Sequence, residues 1–378
     1  MRKKAGIITW CDNNGPTNYG QILQCYAMQN IFGKLDFETL IIQYRNKTGR
    51  DFYKGKFKSH FLNQIYEELF NFFVIEKTFN KRIYLFKKFI KENIELSTPC
   101  YDKEDVEKVS EECAVLVCGS DQIWNPVWFD PLYGLDFGSQ NQKRIAYAPS
   151  GVAMEDDVSI QKYKEMVKYI NHIDSVSVRE SKSIEILKKY TDKSIQAVLD
   201  PTFLLEKKEW DNIASKRLID EPYIFCYIMG SIRSYKLVLK AIMQKYKAKK
   251  IVLIPSNIVE SRLNSAQCFT DAGPAEFVSL IKFAEAICTD SFHGTALSIK
   301  YEKQFYTLRR AQKDADLAAN YLRIDNVLNK MCINERRVNS VKEVKGIEKI
   351  NYDCIDKYAK IEIDKSKKFI ENALLQMK

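Results

Sequence analysis

Only three histidines, His60, His172 and His293, are available in the 378 residues for proton transfer near neutral pH. His60 lies among lysines and aromatics, and His172 follows a helical run beside Asn171 and Asp174, so both suit surface or capping roles. His293 sits differently. The run Ala286-Ile-Cys-Thr-Asp-Ser-Phe-His-Gly-Thr-Ala-Leu-Ser-Ile passes from an apolar strand to a helix through a tight polar turn. A helix start offers unsatisfied backbone N–H groups and the positive end of the dipole, which suit phosphate or carboxylate, and Gly294 permits close approach. An imidazole there can act as acid or base. The competing reading has Asp290 and Ser291 capping the helix while His293 supports the turn.

Two further polar clusters follow apolar strands. Gly119-Ser-Asp-Gln-Ile-Trp-Asn-Pro comes directly after Ala114 to Cys118, and either presents side chains to a ligand or forms a turn closed by Pro126. Asn18, Tyr19 and Gln21 come shortly after the apolar run Ala5 to Trp10.

The elements that must position these residues have α/β order. Strand Ala5 to Trp10, a loop with Gly15, Pro16 and Gly20, helix Gln21 to Phe32 and strand Thr39 to Ile42 make a βαβ unit. Its loop lies at the carboxyl edge of the sheet, where ligands bind. Residues 52–95 mix Phe, Tyr, Lys and Glu at helical spacing and are expected to be an inserted helical region. Strands at Arg144 to Ala148, Ser175 to Val178 and Gln196 to Leu199 alternate with helices Val158 to Asn171 and Ser181 to Tyr190. The polar stretch Glu206 to Glu221 marks a boundary, after which strands Tyr223 to Met229, Lys250 to Ile254 and Ala286 to Thr289 alternate with helices again. Those helices are Tyr235 to Tyr246, Pro274 to Ala284 and His293 to Lys300, with Asp316 to Met331 and Tyr352 to Met377 beyond them. Expected are a first α/β domain over 1–205, a second over 206–345, and a helical tail over 346–378 packing back on the first.

A hydrophobic fraction of 46% with 21 Phe and 21 Tyr supplies folded cores, and no stretch reaches the roughly 20 apolar residues of a membrane span. The basic start lacks a signal-peptide apolar run, and ten cysteines without a C-x-x-C pair read as reduced thiols, so a soluble cytoplasmic protein is expected. Cys113 and Cys118 have no neighbouring histidine, which favours core thiols over a metal site. A net charge of +10 attracts anions, yet no nucleic-acid reading motif accompanies it. Peripheral contact with an anionic membrane face stays open, and the oligomeric state is unspecified.

Five blocks in order resemble the polysaccharide pyruvyl transferase family. They are Asn18-Tyr-Gly-Gln-Ile-Leu-Gln-Cys-Tyr-Ala, Gly119-Ser-Asp-Gln-Ile-Trp-Asn-Pro, Ser177-Val-Arg-Glu, Leu199-Asp-Pro-Thr and Thr289-Asp-Ser-Phe-His-Gly-Thr. The resemblance implies two Rossmann-like domains facing across a cleft, as in GT-B glycosyltransferases. It further implies transfer of the enolpyruvyl carbons of phosphoenolpyruvate, as co-substrate and without other cofactor or metal, onto a sugar or carrier-linked glycan as a ketal. By that resemblance His293 is the acid/base and Arg179 a donor-binding arginine, although Arg179 also suits a surface pair with Glu180. Ser291, Gly294, Thr295, Asn18 and Arg309 are then candidates for the donor, and Asp121, Gln122, Trp124 and Asn125 for the acceptor. One departure stands out: Ser291 occupies the position where family members often carry arginine, which turns attention to the helix amides and the Ser291 hydroxyl, or to Arg233, Arg309 and Arg310, as replacements. The same fold also suits a nucleotide-sugar glycosyltransferase or a non-catalytic anion-binding protein.

Overall fold

The computed structural model describes residues 2–11, 18–45, 76–256, 266–309 and 315–375. In chain order the first part contains β1 (Lys3–Ile8), α1 (Tyr19–Lys34), β2 (Phe37–Ile42), α2 (Glu76–Asn93), α3 (Lys103–Ser110) and β3 (Cys113–Cys118). It continues with β4 (Lys143–Ala146), α4 (Asp157–Ile170), β5 (Ser175–Val178), α5 (Ser181–Leu187) and β6 (Ile195–Ala197). The second part runs through α6 (Lys207–Ile213), β7 (Tyr223–Tyr227), α7 (Lys236–Tyr246), β8 (Lys250–Leu253), β9 (Gln267–Cys268), α8 (Pro274–Lys282) and β10 (Ala286–Thr289). It ends with α9 (Phe292–Lys300), β11 (Gln304–Leu308), α10 (Ala315–Lys330), β12 (Arg337–Val338), α11 (Val341–Gly346) and α12 (Tyr352–Leu375).

The strands form two six-stranded parallel sheets, ordered β2-β1-β3-β4-β5-β6 and β9-β8-β7-β10-β11-β12. Strands such as Tyr-Ile-Phe-Cys-Tyr of β7 and Ala-Ile-Cys-Thr of β10 are buried at every position, as helix cover on both faces requires. In each sheet the order reverses once, between β1 and β3 and between β7 and β10. At such a reversal the connecting segments leave in opposite directions and open a crevice beyond the carboxyl ends of the strands. The polar turns after β1, β3 and β10 therefore meet at the two reversals.

The halves are joined along a packed seam. Helix α1 is buried nearly all round because it covers its own sheet and also meets the second. Its Tyr19 ring stacks on Phe277 of α8 at 4.5 Å, and the Tyr19 hydroxyl donates to the Ala272 carbonyl at 2.6 Å. Arg82 of α2 crosses the same way, donating to the Pro255 and Phe269 carbonyls at 3.0 and 2.9 Å. Helix α12 returns to the first sheet, where Ser366 Oγ accepts the Leu199 N–H at 2.9 Å. It also ties α10 through Lys330 and Glu362 at 3.0 Å.

Of the expected insertion over 52–95, residues 76–93 are helix and residues 52–75 lie outside the described residues. The polar stretch after Leu205 holds helix α6, closed by Glu209 accepting the Glu206 N–H at 2.9 Å. Strands β9, β11 and β12 are additions to the sequence reading; β9 and β12 have two residues each, too few to show a period. No helix among the described residues is long and apolar enough to cross a membrane.

Candidate active site

The turn between β10 and α9 spends its polar groups on itself. Ser291 caps the helix, its hydroxyl accepting the Gly294 N–H at 3.4 Å, and Thr295 Oγ1 donates to the Ser291 carbonyl at 3.0 Å. Thr289 Oγ1 donates to the Tyr227 carbonyl at 2.5 Å and accepts the Ser291 N–H at 3.1 Å. Gly294 presses on that same threonine, since a Cβ there would sit 2.6 Å from its Oγ1. Asp290 accepts the Met229 and Gly230 N–H groups at 2.6 and 2.9 Å. Ser291, Gly294 and Thr295, expected to hold the donor, therefore build a stiff mount, and the residue mounted is His293.

The His293 ring lies between the two halves. It is 6% exposed and meets Phe292 edge to face at 5.1 Å. On its other side is the backbone of Gly20 in α1, where an added Cβ would fall 2.0 Å from His293 Nδ1. Any side chain at position 20 must push the imidazole aside. Gly20→Ala is therefore expected to keep the fold, as judged by circular dichroism, yet lower turnover about 10²-fold by misplacing the ring about 1 Å.

His293 Nε2 is buried without a hydrogen-bond partner and stands 3.7 Å from Asp200 Oδ2. Asp200 is fully buried at the start of a single 3₁₀ turn, where Pro201 supplies the ready-made φ of a first helical position. Its Oδ1 accepts from Thr202 N and Oγ1 at 3.0 and 2.6 Å, and its Oδ2 from Ser120 Oγ at 2.8 Å. Burial alone would push this carboxyl up; Arg179, then His293 and Thr202, outweigh burial and hold it well below the ordinary carboxylate range. Asp200 is thus an anion facing the imidazole.

Arg179 is 1% exposed and follows β5. Its Nη1 is 3.1 Å from Asp200, its Nη2 3.9 Å from Asp121 and its Nε 3.6 Å from Glu180, while Phe292 stacks under the guanidinium at 4.6 Å. None of the three guanidinium nitrogens makes an aligned hydrogen bond, although three carboxylates surround the group. The surface pairing that the sequence also allowed does not occur. Burial pushes the Glu180 carboxyl up, against the pull of Arg179 and its bond from Ser150 Oγ at 2.8 Å.

Asp121 lies at φ 75° and ψ −176°, a backbone region that side chains other than glycine's rarely occupy. It is held there by the Ser150 N–H donating to its carbonyl at 2.8 Å. Arg323 of α10 reaches it from the second half, with Nη1 3.8 Å from Asp121 Oδ1. The groups run from His293 of the second half through Asp200, Arg179 and Asp121 of the first and back to Arg323 of the second.

A family model described as polysaccharide pyruvyl transferase matches residues 18–311, which include all these site residues but Arg323. The chain belongs to the polysaccharide pyruvyl transferase family. A comparison with curated protein sequences finds no match. Among solved structures, Arabidopsis thaliana UGT89C1 complexed with UDP-L-rhamnose is similar with TM-score 0.51 and 9% identity, covering 100% of this chain and 99% of that one. The UDP-N-acetylglucosamine 2-epimerase of Rickettsia bellii gives TM-score 0.49 and 10% identity, covering 98% and 96%. The first likeness concerns the fold alone, which is GT-B-like: two parallel sheets, each with a single order reversal.

Within this pyruvyl transferase family fold, not every expected residue joins His293. Trp124 is a correction: it is fully buried in the core, its indole N–H bonded to the Tyr133 carbonyl at 3.0 Å, and no sugar can lie against it. Asn125 is buried and accepts the Val127 N–H at 3.0 Å, while Gln122 is half-buried. Asn18 is exposed and caps α1, accepting the Gln21 N–H at 3.3 Å. Arg309 is exposed beyond β11 with Arg337 and Glu343 as its electrostatic neighbours, and Arg233 is exposed as well. His172 is exposed, whereas His60 and Arg310 lie outside the described residues. Cys113 and Cys118 are buried at the two ends of β3.

Three participants escaped the sequence reading. Gly20 and Asp200 both stood inside recognised blocks, but neither announces a partner more than 90 residues away. Arg323 sits in an amphipathic helix whose buried face gives no hint that it meets the other half. Trp128 is half-buried, its indole N–H donating to the Gln122 carbonyl at 3.0 Å and its ring 5.8 Å from that of Trp10.

Proposed function

We propose that this chain transfers the pyruvyl group of phosphoenolpyruvate to a sugar of a polysaccharide precursor, forming a pyruvate ketal. The observation that carries the reading is the unpartnered Nε2 of His293, held between ionised Asp200 and an arginine whose nitrogens lack aligned partners. His293 gives its proton to the donor's methylene carbon as a sugar hydroxyl oxygen bonds to the adjacent carbon, and Asp200 stabilises the imidazolium state. Phosphate then leaves with the electrons of its C–O bond and carries off the proton of the first hydroxyl. A second hydroxyl closes the ketal, its proton passing to the base. Arg179 holds the anionic donor throughout.

His293, Arg179 and Asp200 are all nearly sealed from solvent, so the donor enters when α9 and α10 part from the first half. Acceptor binding is assigned to the outer side of Asp121, where Trp10 and Trp128 flank the strand ends and offer ring faces to pyranose C–H groups. Trp128→Ala is expected to raise the acceptor KM about three- to tenfold while leaving phosphoenolpyruvate affinity unchanged. The reaction as proposed draws on no metal or other cofactor, and it belongs in the cytoplasm, where the donor is made.

The deciding experiment incubates the purified chain with phosphoenolpyruvate and a panel of carrier-linked sugars. Phosphate release matched by a product heavier by one pyruvyl group is expected. Turnover of a nucleotide-sugar, with no phosphate from phosphoenolpyruvate, would replace this reading by glycosyl transfer.

A further inference from the structure

Building on the proposed donor, we propose that Arg323 is the second donor-anchoring cation of the site, presented to it across the seam by α10. Phosphoenolpyruvate carries a carboxylate and a phosphate, and one guanidinium cannot face both. Position 291 has no cation, and the Ser291 hydroxyl accepts the Gly294 N–H of its own helix. Arg309 and Arg233 are exposed, and Arg309 has its electrostatic neighbours at Arg337 and Glu343.

Arg323, by contrast, is 8% exposed and shares Asp121 Oδ1 with Arg179, at 3.8 and 3.9 Å respectively. Both distances exceed a hydrogen bond, and the carboxylate spaces the two cations. The charge of Arg323 also reaches Glu180 on the far side of Arg179, which puts all four groups in one electrostatic field. The placement of α10 is fixed independently. Asn326, three residues on and so on the same helix face, donates to the Arg179 carbonyl at 3.1 Å and accepts the Ser181 N–H at 3.4 Å. A donor whose two anionic groups face Arg179 and Arg323 touches both halves, so its site is complete only when they are together.

Isothermal titration calorimetry of the full chain with phosphoenolpyruvate tests this. Arg323→Gln is expected to bind about 10- to 100-fold more weakly, Arg323→Lys to fall between, and adding Ser291→Arg to Arg323→Gln to restore most of the loss. Asn326→Ala, which loosens the same helix without removing charge, is expected to stay within about threefold of the native affinity. Native-like binding by Arg323→Gln, or an equal loss in Asn326→Ala, overturns the anchor while leaving the proposed reaction in place. Absence of any phosphoenolpyruvate binding by the native chain removes both. Should Arg323→Gln fail to fold, Arg323→Lys and its rescue by Ser291→Arg decide the matter.

Discussion

Replacing His293 with alanine is expected to slow phosphate release from phosphoenolpyruvate about 10²- to 10⁴-fold, the range general acid–base catalysis contributes. Affinity for phosphoenolpyruvate should change far less, because the proposed reaction has the anion gripped by arginine and not by imidazole. That split is the useful readout. His293 is packed against Gly20 and Phe292, so its loss also leaves a cavity, and a mere packing defect would lower stability and affinity together. His293→Gln fills much of the space without an imidazole to carry the proton; if it turned over at the native rate, the acid/base role would be gone. Stopped-flow phosphate detection with calorimetric donor affinity on the same preparations gives both quantities.

The second large effect concerns Arg179. Arg179→Met keeps the length and the contact with Phe292 but leaves Asp200, Asp121 and Glu180 buried with less counter-charge, and is expected to cost about 3–5 kcal/mol at neutral pH. The sign of its pH dependence follows from Asp200. In the native chain this carboxyl is held below its ordinary value of 3.8, so it contributes stability above that pH, and the contribution is lost as pH falls through the folded value. Without Arg179 the burial that opposes ionisation is less fully offset, the folded value rises, and the stability that Asp200 contributes above the ordinary value shrinks. The gap between variant and native chain should therefore widen from about pH 4 to neutrality in urea unfolding. A gap that stays constant with pH would mean that the guanidinium acts as packing and not as counter-charge.

Much of the α/β order was legible because short apolar runs bounded by polar turns leave few alternatives in a parallel sheet. Ser175 to Val178 and Ala286 to Thr289 match β5 and β10 residue for residue. What stayed illegible was contact between segments far apart in sequence. Trp124 looked like a wall because it sits in a polar turn, yet that turn curls inward and buries the ring beside Tyr133. Ser291 and Thr295 looked like ligand groups because hydroxyls at a helix start serve either role, and here the turn itself consumes them. Asp200 went unassigned because its meaning depends on Arg179 and His293, which reach it from a different strand end and from the other half of the molecule.

The backbone at Asp121 carries one last consequence. A side chain in that φ, ψ region costs about 1–3 kcal/mol, which glycine would avoid, and every folded copy bears that distortion. The molecule is less stable at this one peptide than it needs to be. What the distortion secures is a single carboxylate poised between two guanidinium groups from opposite sides of the seam. A glycine here would relax the chain and leave the two like charges without the carboxylate between them.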